Sequence, residues 1–240
     1  MLRQSPLKMA IRLLLPALIC VGAVYGVMYY AAKVQARKDS FTKDELRVIR
    51  ESPDVMYVTQ EIDSLDHIIL RKESTELPQA ALKGDDYKLL VKKMLVTVQD
   101  PSQDGVGLAA PQVGLNRRIA VVQRFDKEGE PFEVYANVRI ERLFGDEVDS
   151  PEGCLSYPPF SGIVPRRDSV IVSYSDPTSG EKVLESVGGY TAIIFQHECD
   201  HLDGHLYIDK ADTVFVNPAW ETERTSFNYD KPAWLSEINI

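Results

Sequence analysis

The residues with the most evident chemistry lie at positions 196–201, which read Gln-His-Glu-Cys-Asp-His. In a helix, residues four apart lie above one another on one face, so His197 and His201 can both point at a single metal ion. Glu198 would lie beside them and could move protons. The same spacing also fits a buried helix whose two histidines form local hydrogen bonds. The pattern therefore indicates a candidate metal site, which needs a further ligand from elsewhere in the chain.

A helix is predicted over residues 191–203, because the apolar run 192–195 leads into it and Gly204 follows it as a typical helix-ending glycine. A catalytic zinc-type site uses three protein ligands and keeps one position open. His205 is the nearest further histidine, but it lies only eight residues after His197. The extended metalloprotease signature places its third histidine at an offset of ten. We therefore interpret His205 as a surface residue.

The third ligand is predicted in the stretch 152–156, Glu-Gly-Cys-Leu-Ser. A divalent cation that already has two imidazole ligands would promote the deprotonation that a thiolate ligand needs, so Cys154 completes a Cys-His-His set. A cysteine hydrolase with Cys154 as nucleophile and His197 as base is the alternative. Ser156 is not in a Gly-x-Ser-x-Gly elbow, so the pattern does not indicate a serine hydrolase.

Residues 105–114 form a glycine-rich stretch, Gly-Val-Gly-Leu-Ala-Ala-Pro-Gln-Val-Gly. It lacks the Gly-Lys-Ser/Thr of a phosphate loop and the third glycine of a dinucleotide fingerprint, and a proline and the polar Gln112 stand in their place. Small residues here are typical of a chain that approaches a ligand closely, or of a tight loop between elements.

Together, the stretches 105–112, 152–156 and 196–201, in this order and at these separations, resemble the three motifs of the peptide deformylases. The resemblance covers residues 82–209. It implies one divalent metal per chain, Fe²⁺ in the native enzyme with Zn, Ni or Co as substitutes. The implied ligands are Cys154, His197 and His201. Glu198 is implied as the acid/base residue, Gln112 and the backbone N–H of Leu155 face the oxyanion, and the substrate is lined by Gly105, Val106, Gly107 and Gly153.

The activity implied by this resemblance is removal of the N-formyl group from the formyl-methionine of newly made peptides. A metal-bound water would attack the formyl carbon, and formate would be released. The implied partners are N-formylmethionyl peptides or nascent chains, and the ribosome. A non-catalytic protein that binds formylated peptides is the alternative from another functional class.

The sequence departs from the family pattern in four places. Ser161 stands where an arginine often helps to hold the peptide, so we expect weaker dependence on peptide residues beyond the first methionine, unless Arg166 fills that role. Residues 69–74 replace the usual Pro-Asp-Pro type start of the domain. The tail from Ala211 lacks a basic amphipathic final helix, and a membrane anchor is unusual in the family.

The predicted fold class is α+β, with antiparallel or mixed sheets around the central metal-binding helix and a transmembrane helix before them. The apolar spacing over 86–98 predicts a helix with one buried face and with Lys88, Lys92 and Lys93 opposite. Strand patterns then follow before the metal helix, an order typical of α+β domains. The predicted strands are 118–125, 132–140, 169–175 and 181–187.

Residues 13–32 are uncharged and mostly apolar, and as a helix they would span about 30 Å, the thickness of a bilayer's hydrocarbon core. We interpret them as a single-pass membrane anchor. A cleaved signal peptide and an organellar presequence are the alternatives. Basic residues flank both ends, and a ferrous thiolate site survives best where thiols stay reduced. The catalytic domain is therefore expected on the cytoplasmic or organelle-matrix side.

Four segments are predicted along the chain. They are a basic amino-terminal segment over 1–38, a charged linker with a short helix over 39–75, a deformylase-like catalytic domain over 76–210, and an irregular tail over 211–240. The first 38 residues carry six basic side chains and no acid, so the formal net charge of −9 becomes −15 for the rest. Such a body repels nucleic acid, and no direct nucleic-acid binding is expected. Three widely spaced cysteines predict no disulfide.

Overall fold

The computed structural model describes residues 24–30, 40–103, 105–217 and 231–237. The chain divides into two units, Met1–Ser40 and Phe41–Ile240. In the first unit, residues 24–30 are helical and exposed, and the remainder of the predicted membrane span 13–32 lies outside the described residues. Over the described part of the chain, no helix is long and apolar enough to cross a membrane.

The second unit combines five α-helices, six strands and short 3₁₀ turns within its described residues. The helices are α1 (Lys43–Glu51), α2 (Ser64–Leu70), α3 (Gln79–Leu82), α4 (Asp85–Val98) and α5 (Gly189–Leu202). The strands are β1 (Gly107–Ala109), β2 (Ile119–Gln123), β3 (Phe132–Gly153), β4 (Phe160–Ser175), β5 (Lys182–Gly188) and β6 (Thr213–Val216). The 3₁₀ turns are Ala110–Val113, Tyr207–Asp209 and Ala233–Glu237.

These strands form an antiparallel sheet in the order β1-β2-β3-β4-β5, and β6 pairs with β4. The α+β prediction is confirmed. Strand β3 is much longer than the predicted 132–140. The sequence does not reveal the extra length, because beyond residue 140 the side chains are largely exposed and polar and show no apolar alternation. Register shifts interrupt its pairing with β4, which begins at Phe160 and not at residue 169.

Helix α4 matches its predicted apolar face, with Tyr87, Leu90, Met94 and Val98 buried. The prediction that Lys93 lies opposite that face is wrong: it is 4% exposed. Its ammonium group donates to the backbone carbonyls of Ile49, at 2.8 Å, and Ser52. These acceptors belong to the last turn of α1, which lacks intrahelical donors for its carbonyls and so stabilises a buried cation.

Of the segment predicted as a charged linker over 39–75, residues 41–75 belong to the second unit and pack into its body. Helix α1 starts with a capping box between Thr42 and Glu45. Its few apolar residues, among them Val48 and Ile49, are buried in the same core as α4. The many charged residues of this segment make it read as a solvated linker, so the sequence does not indicate that Val48 and Ile49 pack the helix onto the core.

The tail after residue 210, predicted to be irregular, contains two ordered pieces. Strand β6 extends the sheet beside β4. Further on, the turn Ala233–Glu237 places Leu235 in the main core, where it is 6% exposed. Both pieces are only four or five residues long and are ordered by partners distant in sequence, so local patterning does not reveal them.

Candidate active site

Helix α5 and the end of β3 bring the three predicted metal ligands together. The helix runs over Gly189–Leu202, against the predicted 191–203, and Gly204 follows it with φ of +79°. Cys154 comes directly after the last residue of β3. One donor atom each from Cys154, His197 and His201 lies within 4.8 Å of the others, and Cys154 Sγ is 3.2 Å from His201 Nε2.

The two imidazoles turn the same kind of nitrogen toward the thiol. His197 Nδ1 lies 2.8 Å from Glu152 Oε2. Because an ionised carboxylate only accepts, Nδ1 carries a proton. Burial opposes a second proton, but hydrogen bonds with Cys154 and Glu152 raise the pKa of His197 well above its usual value. A bound divalent cation would displace that second proton from Nε2. Burial lowers the pKa of His201 well below its usual value, with His197 and Arg166 acting in the same direction, so His201 is neutral. Two imidazoles and a thiol, which lose their competing protons when a cation binds, fit the ligand chemistry of Zn²⁺ or Fe²⁺.

Glu198 lies beside these ligands with its carboxylate 3% exposed. Burial raises the pKa of Glu198 to about 7, although His197 and Arg166 oppose the rise. Its Oε2 atom is buried and has no hydrogen-bond partner among the described residues. A carboxylate with a free oxygen and a pKa near neutrality can both accept and return a proton. A divalent cation beside it would lower that pKa.

Gln112 lies on the turn Ala110–Val113, where its Oε1 accepts from the backbone N–H of Ala109 at 2.8 Å. This contact fixes the amide, so its Nε2 points toward the site, 3.3 Å from Ser156 Oγ and 3.6 Å from Cys154 Sγ. Leu155 lines the same cleft, and its carbonyl accepts from Gln60 Nε2 at 3.0 Å. The structure thus brings Gln112 and Leu155 to the predicted ligands.

A cleft of about 350 Å³ opens onto these groups. The predicted residues in its lining are Gly105, Val106, Gly107, Gln112, Gly153, Cys154, Leu155, His197 and Glu198. Sequence reasoning missed Tyr190, Ile193 and Ile194, which form an apolar wall on α5. Ile193 and Ile194 lie in the apolar run before the histidines. Each lies four residues before His197 or Glu198, and this helical spacing indicates that they share a face with the site residues.

Several other predicted residues fall outside the cleft. His205 is exposed, as predicted. Ser161 lies on β4 opposite Gly153 of β3. Arg166 is buried and bonds to Glu152 and Asp200, so it cannot also hold a peptide in place of the arginine missing at position 161. Cys154 and Cys199 are free thiols, and Cys20 lies outside the described residues.

Comparisons of this chain with family models and with known protein sequences agree on one family. A family model described as polypeptide deformylase matches residues 59–226. A peptide deformylase of Desulforudis audaxviator is 42% identical over 127 residues, which cover 52% of this chain and 80% of that protein. The mitochondrial peptide deformylase of Homo sapiens is 34% identical over 168 residues, which cover 63% of this chain and 68% of that protein.

Solved structures agree with this match. The Met-Ala-Ser complex of the class I type b peptide deformylase from Acinetobacter baumannii is 30% identical, with a TM-score of 0.57, and the match covers 65% of this chain and 98% of that one. The actinonin complex of a peptide deformylase from Synechococcus elongatus is 30% identical, with a TM-score of 0.58, over 73% of this chain and 90% of that one.

Proposed function

The chain belongs to the peptide deformylase family, and we propose that it is the metal-dependent hydrolase that removes the N-formyl group from formyl-methionyl peptides and releases formate. The observation that carries this function is the convergence of Cys154, His197 and His201 within 4.8 Å, with Glu198 beside them in the same cleft. In this proposal, the peptide amino terminus binds in the cleft and its formyl group lies beside the Glu198 carboxylate.

We assign Cys154, His197 and His201 as the ligands of one divalent ion. Such an ion would supply Lewis acidity, polarising a carbonyl and lowering the pKa of water. Glu198 accepts the proton of the attacking water and returns it to the departing amino group, a role that its free Oε2 supports. Tyr190, Ile193 and Ile194 give the cleft an apolar side against which an apolar substrate side chain could pack.

Gln112 and the backbone N–H of Leu155 are assigned to the oxygen that gains negative charge on the formyl carbon. The Ala109 contact holds the Gln112 amide with its N–H groups facing the site before substrate arrives, as a preorganised donor requires. Gly105, Val106, Gly107 and Gly153 line the cleft with backbone and little side chain, which suits an extended peptide.

For the native ion we propose Fe²⁺, with Zn, Ni or Co as substitutes. One thiolate and two imidazoles bind all of these ions, and the order of affinities does not favour iron. The choice of Fe²⁺ therefore depends on the family and on metal supply in the cell, and metal analysis of protein purified without oxygen tests it.

Formate release on metal removal and return tests the function. The protein is treated with a chelator, assayed on a formyl-Met tripeptide, and reloaded with Fe²⁺ or Co²⁺. We expect activity to disappear and return with the ion, and Glu198→Gln to bind the ion but release formate about 10²- to 10⁴-fold more slowly. Full activity without metal that alkylation of Cys154 abolishes would instead support a cysteine hydrolase. Peptide binding without formate release would support a non-catalytic binder.

We also propose that residues 76–210 form the catalytic domain, supported from outside that range by the packed residues described above. Residues 13–32 anchor it to a membrane, and the body from about residue 39 faces the cytoplasm or organelle matrix, where formylated nascent chains and the ribosome are found. Protease added to intact spheroplasts or mitoplasts should spare the body until lysis. Digestion before lysis would place the body on the other side.

A further inference from the structure

A chain of alternating charges leads from His197 to the protein surface. His197 Nδ1 contacts Glu152, and Arg166 donates a hydrogen bond to each Glu152 carboxylate oxygen, at 2.8 and 2.9 Å. Arg166 also donates to Asp200 Oδ2 at 2.6 Å. The second Asp200 oxygen accepts from Lys210 Nζ at 2.5 Å.

Of these four charged side chains, only Lys210, the one farthest from His197, is accessible to solvent. The side chains of Arg166, Glu152 and Asp200 are 3%, 6% and 10% exposed, whereas that of Lys210 is 45% exposed. Hydrogen bonds from Arg166 and His197 outweigh burial and lower the pKa of Glu152 to about 2, so it stays ionised. The four charged groups therefore balance as two anions and two cations.

The same ion pairs connect the elements that carry the metal ligands. Glu152 lies on β3 two residues before Cys154, and Arg166 lies on β4. Asp200 lies on α5 between the two histidines. The distance between the thiol and the imidazoles thus depends on how firmly Arg166 holds β3 and α5 at once.

We propose that Lys210 is a positioning residue for the metal site, acting through Asp200, Arg166 and Glu152. Without the lysine, Asp200 keeps a buried negative charge whose one remaining cationic partner, among the residues that the structure describes, is Arg166. The guanidinium is then drawn toward Asp200, its two-point contact with Glu152 loosens, and His197 loses the fixed orientation that a metal ligand needs. This inference rests on the proposed metal site.

The test measures release of Co²⁺ from the loaded full-length protein into excess chelator, together with the visible spectrum of the bound ion. Lys210→Met should release the ion roughly tenfold faster, the low end of the effect of partners outside the ligand set. Its spectrum should differ from wild type, because the ligand geometry changes. Lys210→Arg keeps the charge and should restore both properties.

Lys182→Met is the matched control. Lys182 makes a surface ion pair of similar geometry with Glu141, at 2.6 Å and away from the cleft, and its loss should leave release and spectrum unchanged. Asp200→Asn provides the second arm: if Lys210 acts through Asp200, adding Lys210→Met to that variant should change release by less than about twofold.

Equal release rates for Lys210→Met and Lys182→Met would overturn the proposal, as would an unaltered effect of Lys210→Met in the Asp200→Asn background. A wild-type protein that binds no Co²⁺ would instead refute the metal site and with it the proposed function. If Lys210→Met does not fold, the spectrum and release rate of Lys210→Gln provide the same comparison.

Discussion

Glu198 occupies space that only a glycine at position 107 leaves free. A Cβ atom on Gly107 would lie 2.3 Å from Glu198 Oε1 and 2.8 Å from its carboxyl carbon. Both distances are far below van der Waals contact, and the helix backbone holds the base of the glutamate side chain. At the scale of single residues, the absence of a side chain at position 107 therefore places the carboxylate as much as any hydrogen bond does.

Gly107→Ala should displace the carboxylate and lower kcat for formate release by about 10²-fold, within the range that general acid–base catalysis contributes. Metal content should stay at the wild-type level, because the atoms nearest to a Cβ at this position all belong to Glu198 and not to a ligand. Gly188→Ala is the control, since a Cβ there meets its nearest neighbours at 3.8 Å. Equal kcat for the two variants would mean that Glu198 tolerates displacement or does not move the proton.

Gln112 has a structural contact and a proposed catalytic one, and a single substitution separates them. Gln112→Leu removes the acceptor for the Ala109 N–H, which should cost about 1 to 3 kcal/mol in the free energy of unfolding. It also removes the proposed oxyanion donor, which should lower kcat roughly 10²- to 10³-fold. Urea unfolding and formate release measure the two effects, and a loss of stability with unchanged kcat would assign Gln112 to loop structure alone.

At the scale of elements, the sequence predicts what local period and motif encode. The helical period of α4 and α5, the apolar run of β2 and the alternation in β5 locate those elements to within about two residues. Contacts distant in sequence are not encoded locally. Lys93 reads as a surface lysine until the carbonyls of Ile49 and Ser52 are placed above it.

The charge chain behind the metal ligands shows the same limit. The motifs predict Cys154, His197 and His201, but the partners Glu152, Arg166 and Asp200 meet only once β3, β4 and α5 are packed together. Their residue types alone are those of an ordinary solvated surface. The core of the site is thus readable from the sequence, whereas the groups that hold it in place are not.

Arg124, just after β2, joins several elements, and its ion pair with Asp126 makes the stability of the fold sensitive to acid. Its side chain is 1% exposed and pairs with Asp126, with Glu185 on β5 and with Tyr135 on β3. The hydrogen bond from Arg124 outweighs burial and lowers the pKa of Asp126 to about 2, from an ordinary value of 3.8. Because the folded pKa is the lower one, the stabilisation is present above about pH 4 to 5 and is lost as the pH falls toward 2.

Asp126→Asn should therefore reduce the loss of stability on acidification. Between pH 6 and pH 3, the free energy of unfolding of metal-free wild-type protein should fall by about 0.5 to 1 kcal/mol more than that of the variant, allowing for partial screening of a side chain that is 30% exposed. Urea titrations at the two pH values measure this difference. Parallel losses in both proteins would show that Asp126 does not contribute to the acid response.

At the scale of the whole molecule, the segment near the carboxyl terminus holds together parts of the body that are far apart in sequence. Lys231 bonds to Asp63 and Asp66 at 2.9 and 2.7 Å. Asp66 in turn accepts from the backbone N–H of Gln60, whose side chain donates to the carbonyl of Leu155 in the cleft. The tail is thus connected to the active site through three hydrogen bonds, by way of the buried Asp66 carboxylate and Gln60.

Leu235→Ala tests whether this segment stabilises the body. Leu235 is 6% exposed and packs in the main core near Val48 and Gly114. Truncation should lower the free energy of unfolding by about 2 to 3 kcal/mol, the low end for buried leucines because the residue lies at the edge of the core. Metal content should not change, since Leu235 touches no ligand. Urea unfolding with metal analysis measures both, and unchanged stability would mean that the segment is not docked on the core in solution.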